Sequence, residues 1–492
     1  MKTSFTRISL LLALLAFLPV LASALTVTVG PGGPPTYDYA NIQDAINAVP
    51  DGSTINIAGA NYDEHLLIIG RRDLTLAGPA SGTPAAVVIS ATNVVNEGVY
   101  IDNSSAIQFA NLKIDMTANN GVSWRAGIVA TMGAAFTGTN LFVTGGARCI
   151  NLWKGGNATL SSCTLTKVTR PDDWACGIEI GGDMTTDPAS SINADKCLIT
   201  ETNYPVMINP YESGGHPCTK VGIVSFTNST FSNNHNGQYG ITMRFMTAAW
   251  EPNAYVLFQD CYFSDWDGYC FHMDSWPDTQ TPSSVTFRRV KFSDYAAYNN
   301  GAVLFLNYRC PVILENVSIA AYSNEGVYIG YYNRGITMNY SSIANVNDSV
   351  IGIREVQLPA PNIVIRDSLL YTPNGFAWQP VATYGATSAA AFDIDWSIAN
   401  SANVQDFSPN IASVTRGTHY TYNTADPNYC KFTDFAGTGD LHLMAGSPAI
   451  GTGTDIGIYV DCEKKIRPYD GGYDMGAYQY NSVLSVKDWS IY

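Results

Sequence analysis

The sequence predicts an all-β solenoid. Three observations carry this: an eight-residue motif that occurs ten times, a short apolar strand before each copy, and a polar break at a fixed place inside it. The copies begin at Ile107, Phe136, Ala158, Ile192, Val224, Val256, Val285, Val312, Ile336 and Ile363; Val256-Leu-Phe-Gln-Asp-Cys-Tyr-Phe263 is representative. Counted from the second apolar position of each copy, the steps are 29, 22, 34, 32, 32, 29, 27, 24 and 27 residues. Apolar residues alternate with spacers in both halves of the motif, which is the period of a strand. Self-similarity at this interval marks a stack in which each unit buries its core against its neighbours.

At the amino end, residues 1–24 read as an export signal: Lys2 and Arg7 are followed by the apolar run Leu10 to Leu21 and by Ala22-Ser23-Ala24. No later segment approaches the roughly 18 uninterrupted apolar residues of a membrane span, so the mature chain is expected outside the cytoplasm and without a membrane span. Loss of Lys2 and Arg7 takes the formal charge from −15 to −17. Nucleic acid is thereby excluded as a partner, because phosphate binding needs concentrated Lys and Arg. No CxxC occurs, and the Cys and His spacings match no zinc site.

Next, Ile42, Ala45, Ile46 and Val49 fall at i, i+3, i+4 and i+7 and predict one short amphipathic helix, ended by Pro50-Asp51-Gly52. Strand-like Thr54-Ile-Asn-Ile57 follows. The whole stretch from Tyr39 to Ile57, with Asn61-Tyr62-Asp63-Glu64 beyond it, resembles the opening of pectin-lyase-like right-handed parallel β-helix proteins. That resemblance implies a right-handed parallel β-helix solenoid with a short N-terminal capping helix plugging the open end. A plug is physically required, because an uncapped coil exposes strand edge and core.

Strands preceding the motif copies, such as 98–101, 149–152, 177–180, 270–273 and 326–329, complete a coil of three strands. The break between motif halves often holds Asn, Asp or Ser (Asn111, Asn140, Ser162, Asn228, Asp260, Asn316, Asp367), residues suited to a corner in left-handed backbone geometry. The six N-x-S/T sequons arise largely from this corner chemistry and nearby turns. Cys163 and Cys197 occupy the same position in successive copies, so they either bridge or stack as small apolar side chains. Periodicity weakens after about residue 372; Asp440-Leu-His-Leu443 to Ile450-Gly451, Arg467 and Gly472 to Tyr478 resemble the closing segment of secreted bacterial β-helix proteins. The organisation is therefore a signal at 1–24, a β-helix with its cap at 25–405, terminal strands and a C-terminal cap at 406–480, and a tail at 481–492.

Stacking turns positions into columns. One outward column should run Tyr100, Val129, Asn151, Glu179, Met207, Thr242, His272, Phe305, Tyr328, and a second Asp102, Thr131, Trp153, Gly181, Asn209, Arg244, Asp274, Asn307, Gly330, Arg354. Long excursions at 167–175, 181–191, 209–220, 245–254 and 274–284 are expected to wall a groove beside them. Trp124, Trp153, Trp174, Trp276 and Tyr308 lie in or beside this region and offer flat faces for sugar rings.

His272 and Asp274 share a strand face, with Arg244 one coil away. A β-eliminating polysaccharide lyase needs a base for a sugar C5 proton and a cation for the enolate-like charge. His272 or Lys154 suits the base, Arg244 the uronate carboxylate, and a cation such as calcium on Glu179, Asp183 or Asp274 would assist. The expected partner is an extracellular polysaccharide, most plausibly a uronate polymer cut by elimination. Two alternatives stand beside it: a non-catalytic adhesin binding glycans, and a glycoside hydrolase. The hydrolase fits less well, because Glu179 and Asp274 lie roughly 14 Å apart along the stack, against the roughly 5–9.5 Å that paired carboxylates need. Asp172-Asp173 lacks the Asn-Thr-Asp and Arg-Ile-Lys that accompany such a pair in polygalacturonases, and the pectate lyase and pectin methylesterase signatures are missing too. Oligomeric state is not legible.

Overall fold

The computed structural model describes residues 23–481 except 81–82, 93–96, 120–124, 169–174, 182–186, 209–219, 235–238, 246–248, 267–268, 276–282, 296–301, 308–309, 322–324, 331–334, 346–348, 354–361, 373–377, 381–387, 402–410, 427, 436–437 and 470. The signal segment therefore lies almost wholly outside the described residues. Among those described, no helix is long and apolar enough to cross a membrane.

Three sheets of parallel strands run the length of the stack. Sheet 1 has 12 strands, from Leu66–Ile69 to Trp378–Pro380; sheet 2 has 16, from Thr26–Val29 to Ile411–Arg416; sheet 3 has 14, from Ala60–Asp63 to Thr421–Asn423. Each coil contributes one strand to each sheet in that order, which makes the chain a right-handed parallel β-helix. Alternation sends every second side chain inward, so the motif's apolar positions become continuous stacks. Phe226, Phe258 and Phe287 lie ring on ring at 5.4 and 5.4 Å, and Phe231, Phe263 and Phe292 at 4.6 and 4.7 Å. Pairs of this kind add about 0.5–1.5 kcal/mol each to their area burial.

The corner between sheets 2 and 3 is one residue in left-handed geometry. Asn111, Asn140, Ser162, Lys196, Asn228, Asp260, Arg289, Asn316, Tyr340 and Asp367 have φ between 45° and 56°. Asn, Asp and Ser were expected there; Lys196, Arg289 and Tyr340 take the same strained backbone because the coils on either side fix it. Just inside the corner, serines tie coils together. Ser341 Oγ donates to the Asn339 carbonyl at 3.1 Å and accepts from Val317 N–H at 3.2 Å, and Ser368 repeats the pattern one coil on.

The helix Ile42–Ala48 covers the first coil with Ile42, Ala45 and Ile46 buried. Its seven residues are too few to be stable alone, and the solenoid caps both ends. Glu64 accepts the Ile42 and Gln43 N–H groups at 2.9 Å each, while Arg71 donates to the Ile46 and Val49 carbonyls. Charges of these signs oppose the helix dipole at each end.

The segment after residue 428 begins at the end of the stack, where Tyr429 N–H meets Asn400, and runs back along its side. It forms a clasp over the corner row. Lys464 reaches Asn228 and Asp260, Arg467 donates to Asn316 Oδ1 at 3.1 Å and stacks on Tyr340, and Asp367 accepts Thr454 N–H at 2.7 Å. Burial pushes the Asp367 carboxyl up to about 7.

Candidate functional site

Strand register produces the outward column of sheet 1 as an unbroken ladder. Leu67 pairs with Tyr100, then Val129, Asn151, Glu179, Met207, Thr242, His272, Phe305 and Tyr328 follow in direct succession. In the neighbouring column Trp153 pairs with Gly181, and Arg244 with Asp274 and then Asn307. Glu179 and Met207 of this column are each 2% exposed and His272 is 5% exposed. An outward face that is dry at its centre differs from the largely polar outer face of sheet 2.

His272 stands in an aromatic file. Its ring stacks on Phe305 at 4.7 Å and 23°, with Tyr269 at 5.3 Å on another side, and Phe305 stacks on Tyr328 at 4.4 Å and 6°. Arg244 and Asp274 are register partners, as are Thr242 and His272, so the expected trio occupies two adjacent rungs of one face. The side chains of Arg244 and Asp274 lie outside the described residues.

Glu179 requires a correction. Its carboxylate is hydrogen-bonded by the Arg148 guanidinium Nε, and both side chains are 3% exposed. The cation facing Glu179 is thus an arginine from the preceding coil, which leaves that oxygen unavailable to calcium. Residues at this position do not fit the expected metal, and among the described residues no group of three or more His, Cys, Asp or Glu side chains is placed to hold one. Asp183 lies outside the described residues, as do Trp124, Trp174, Trp276 and Tyr308.

Trp153 and Lys154 are described. The Trp153 ring lies over Gly181 of the next coil, where an added Cβ would fall 2.3 Å from it. Lys154 follows at φ 46° in the turn that ends the strand, close enough to influence the Tyr100 hydroxyl. Between the rung of Asn151 and that of His272 lie Glu179, Met207 and Thr242. Four steps span about 19 Å, so Lys154 and His272 cannot meet at one reacting carbon.

Sequence reasoning missed a further column three residues earlier: Glu97, Ala126, Arg148, Cys176 and Tyr204, resumed in the strand register by Tyr239 and Tyr269. Strict alternation hides it, because an odd offset of three would put these residues on the opposite face. Glycines just before each strand's first apolar residue interrupt the alternation. Gly98, Gly127 and Gly177 occupy the intervening inward position, where an added Cβ would meet a neighbouring carbonyl at 2.9, 2.7 and 2.7 Å.

No family model matches the sequence, and no curated protein matches it. Solved structures do. The pectate lyase Pel9A is similar at 12% identity over 94% of this chain and 98% of its own, with a TM-score of 0.42. ORF18 of Geobacillus virus E2 is similar at 13% identity over 70% of this chain and 59% of its own, with a TM-score of 0.33. A pectin methylesterase from Aspergillus niger gives 12% identity over 79% and 89%, with a TM-score of 0.25. The fold is a parallel β-helix. These superpositions are loose, and the fold stands on the strand ladders themselves.

Proposed function

We propose that the protein is exported and acts on an extracellular polysaccharide along the outer face of sheet 1, cleaving a uronate polymer by β-elimination. One observation supports the reading: strand register pairs Arg244 with Asp274 and Thr242 with His272 on neighbouring coils of sheet 1. In the proposed reaction His272 accepts the proton from the sugar C5. The electron pair left behind moves into the C4–C5 bond as the C4–O bond breaks, and the leaving oxygen keeps that bond's electrons and takes a proton from water. Arg244 offsets the charge that builds on the uronate carboxylate, the larger electrostatic contribution in such a step, and Asp274 orients it. Hydrolysis is less well supported, because Glu179 is three rungs from the His272 rung and already held by Arg148.

A glycan-binding role without cleavage is the second reading, favoured by one feature: His272 is packed against two aromatic rings and is 5% exposed. Incubation with a panel of uronate polymers, with calcium or with chelator, separates the two. Elimination generates an unsaturated product and a rise in ultraviolet absorbance, lost in His272→Ala and Arg244→Ala variants that remain folded. Absence of product together with retention on an immobilised glycan would refute cleavage and leave binding.

A further inference from the structure

The row just inside the corner of sheets 2 and 3 holds Cys163, Cys197, Ser229 and Cys261 in consecutive coils. Pairing of Thr164 with Leu198 sets Cys163 directly across from Cys197, and Leu198 N–H donates to the Cys163 carbonyl at 2.8 Å. Both cysteines follow a left-handed corner residue, Ser162 at φ 56° and Lys196 at φ 53°, so their side chains leave the backbone in the same direction. Both are free thiols, 1% and 2% exposed. Neighbouring parallel strands lie about 4.8 Å apart, inside the usual Cα separation of a disulfide.

We propose that Cys163 and Cys197 close into a disulfide that staples two neighbouring coils when the chain folds under oxidising conditions. The oxidant is a small or protein disulfide of the glutathione or thiol–disulfide exchange class. One thiol loses its proton and attacks a sulfur of the oxidant, forming a mixed disulfide and releasing a thiolate. The second thiol then loses its proton and displaces the remaining oxidant sulfur. Two protons leave the pair, and two electrons reduce the oxidant to its dithiol or two-thiol form. Exchange occurs while the coils are being laid down, since the finished core admits no oxidant.

Cys261 supplies an internal control. Its thiol donates to the Phe226 and Gln259 carbonyls at 3.4 Å each, as that of Cys163 donates to Gly138 and Ser161 at 3.4 Å each. Its neighbour on one side is Ser229, whose hydroxyl accepts Cys197 N–H at 3.1 Å, and on the other Val290. Burial and packing match, and only the second cysteine is missing.

The test uses the full chain produced once with export from a bacterial host and once in the reducing cytoplasm. Free thiols are blocked with N-ethylmaleimide in denaturant, and tryptic peptides are assigned by mass spectrometry. The expected result is a cross-linked pair of peptides carrying Cys163 and Cys197 in the exported protein, lighter by two hydrogens, with Cys261 alkylated in both preparations. Reduction should lower the denaturation midpoint of the exported protein and leave Cys163→Ser and Cys197→Ser unmoved. Alkylation of Cys163 and Cys197 to the same extent as Cys261 in exported protein overturns the proposal, and so does an equal midpoint shift in the serine variants.

Discussion

Replacing Glu179 with Gln tests whether the dry centre of sheet 1 is organised by an ion pair or by a metal. Arg148 and Glu179 are each 3% exposed, and the guanidinium Nε donates to the carboxylate. Removing one partner of a buried ion pair costs about 3–5 kcal/mol. Replacing both with apolar side chains of similar volume, Arg148→Met with Glu179→Leu, should bring the loss back to within about 1 kcal/mol of the parent, because the desolvation of both charges disappears together. With single losses of about 3 kcal/mol or more and a double loss of about 1, a coupling energy of about 5 kcal/mol is expected from the four-membered cycle. Solenoid coils open locally, so the assay is hydrogen exchange at the amides of Arg148–Trp153 and Cys176–Gly181, alongside urea denaturation. A calcium ligand at Glu179 would instead make stability rise with calcium by mass action in the parent and not in Glu179→Gln. A loss below about 1 kcal/mol in Glu179→Gln, or a calcium response that this substitution abolishes, would refute the ion-pair account.

Two further outcomes are expected. In the clasp, His442 Nδ1 lies 2.5 Å from Asp440 and Nε2 3.0 Å from Glu463, with Lys465 and Tyr478 alongside. Burial alone would lower its pKa, but the two carboxylates raise it from 6.5 to about 9. Its contribution is thus fully present below pH 6.5 and lost as pH rises through about 9. At about 1.4 kcal/mol per pH unit, discounted for part-exposed partners, the clamp is worth about 2 kcal/mol. Thermal midpoints should fall more steeply between pH 7 and 10 in the parent than in His442→Gln, and parallel curves would show that the clamp contributes nothing. Lys154→Met should weaken polymer binding while leaving the saturated rate within a few-fold, because the ladder puts it about 19 Å from His272. A collapse of the saturated rate would return Lys154 to the reacting centre.

The solenoid was legible because a single physical rule, alternation of side chains along a strand, acts identically in every coil. Once the second strands were aligned with the motif copies, the outward column from Tyr100 to Tyr328 followed residue for residue, and the strand register reproduces it. The corner was legible only in part. Asn316 and Asp367 announce left-handed geometry, whereas nothing about Lys196, Arg289 or Tyr340 does, and there the coils above and below impose the backbone. The Arg148–Glu179 pair joins different columns of successive coils, 31 residues apart, which no local pattern encodes. The clasp is harder still, since Arg467 meets Asn316 across 151 residues and Lys464 meets Asn228 across 236, with no repeat to align them.

Spacing along the stack also decides how the candidate residues divide. Every rung adds about 4.8 Å, and a chemical centre reaches only one rung in either direction, because acid–base groups must approach within hydrogen-bonding distance of the atoms they serve. Arg244, His272 and Asp274 satisfy that limit together, on two paired strands. Trp153, Lys154 and the Arg148–Glu179 pair form a second group around the rungs of Asn151 and Glu179. A polymer lying along the stack would touch both groups at once, through different sugars. Under the proposed cleavage, the aromatic ring laid over Gly181 would serve a sugar remote from the bond that breaks, and its contribution would be to affinity. The same geometry that made the repeat visible would thus separate residues that hold a chain from residues that act on it.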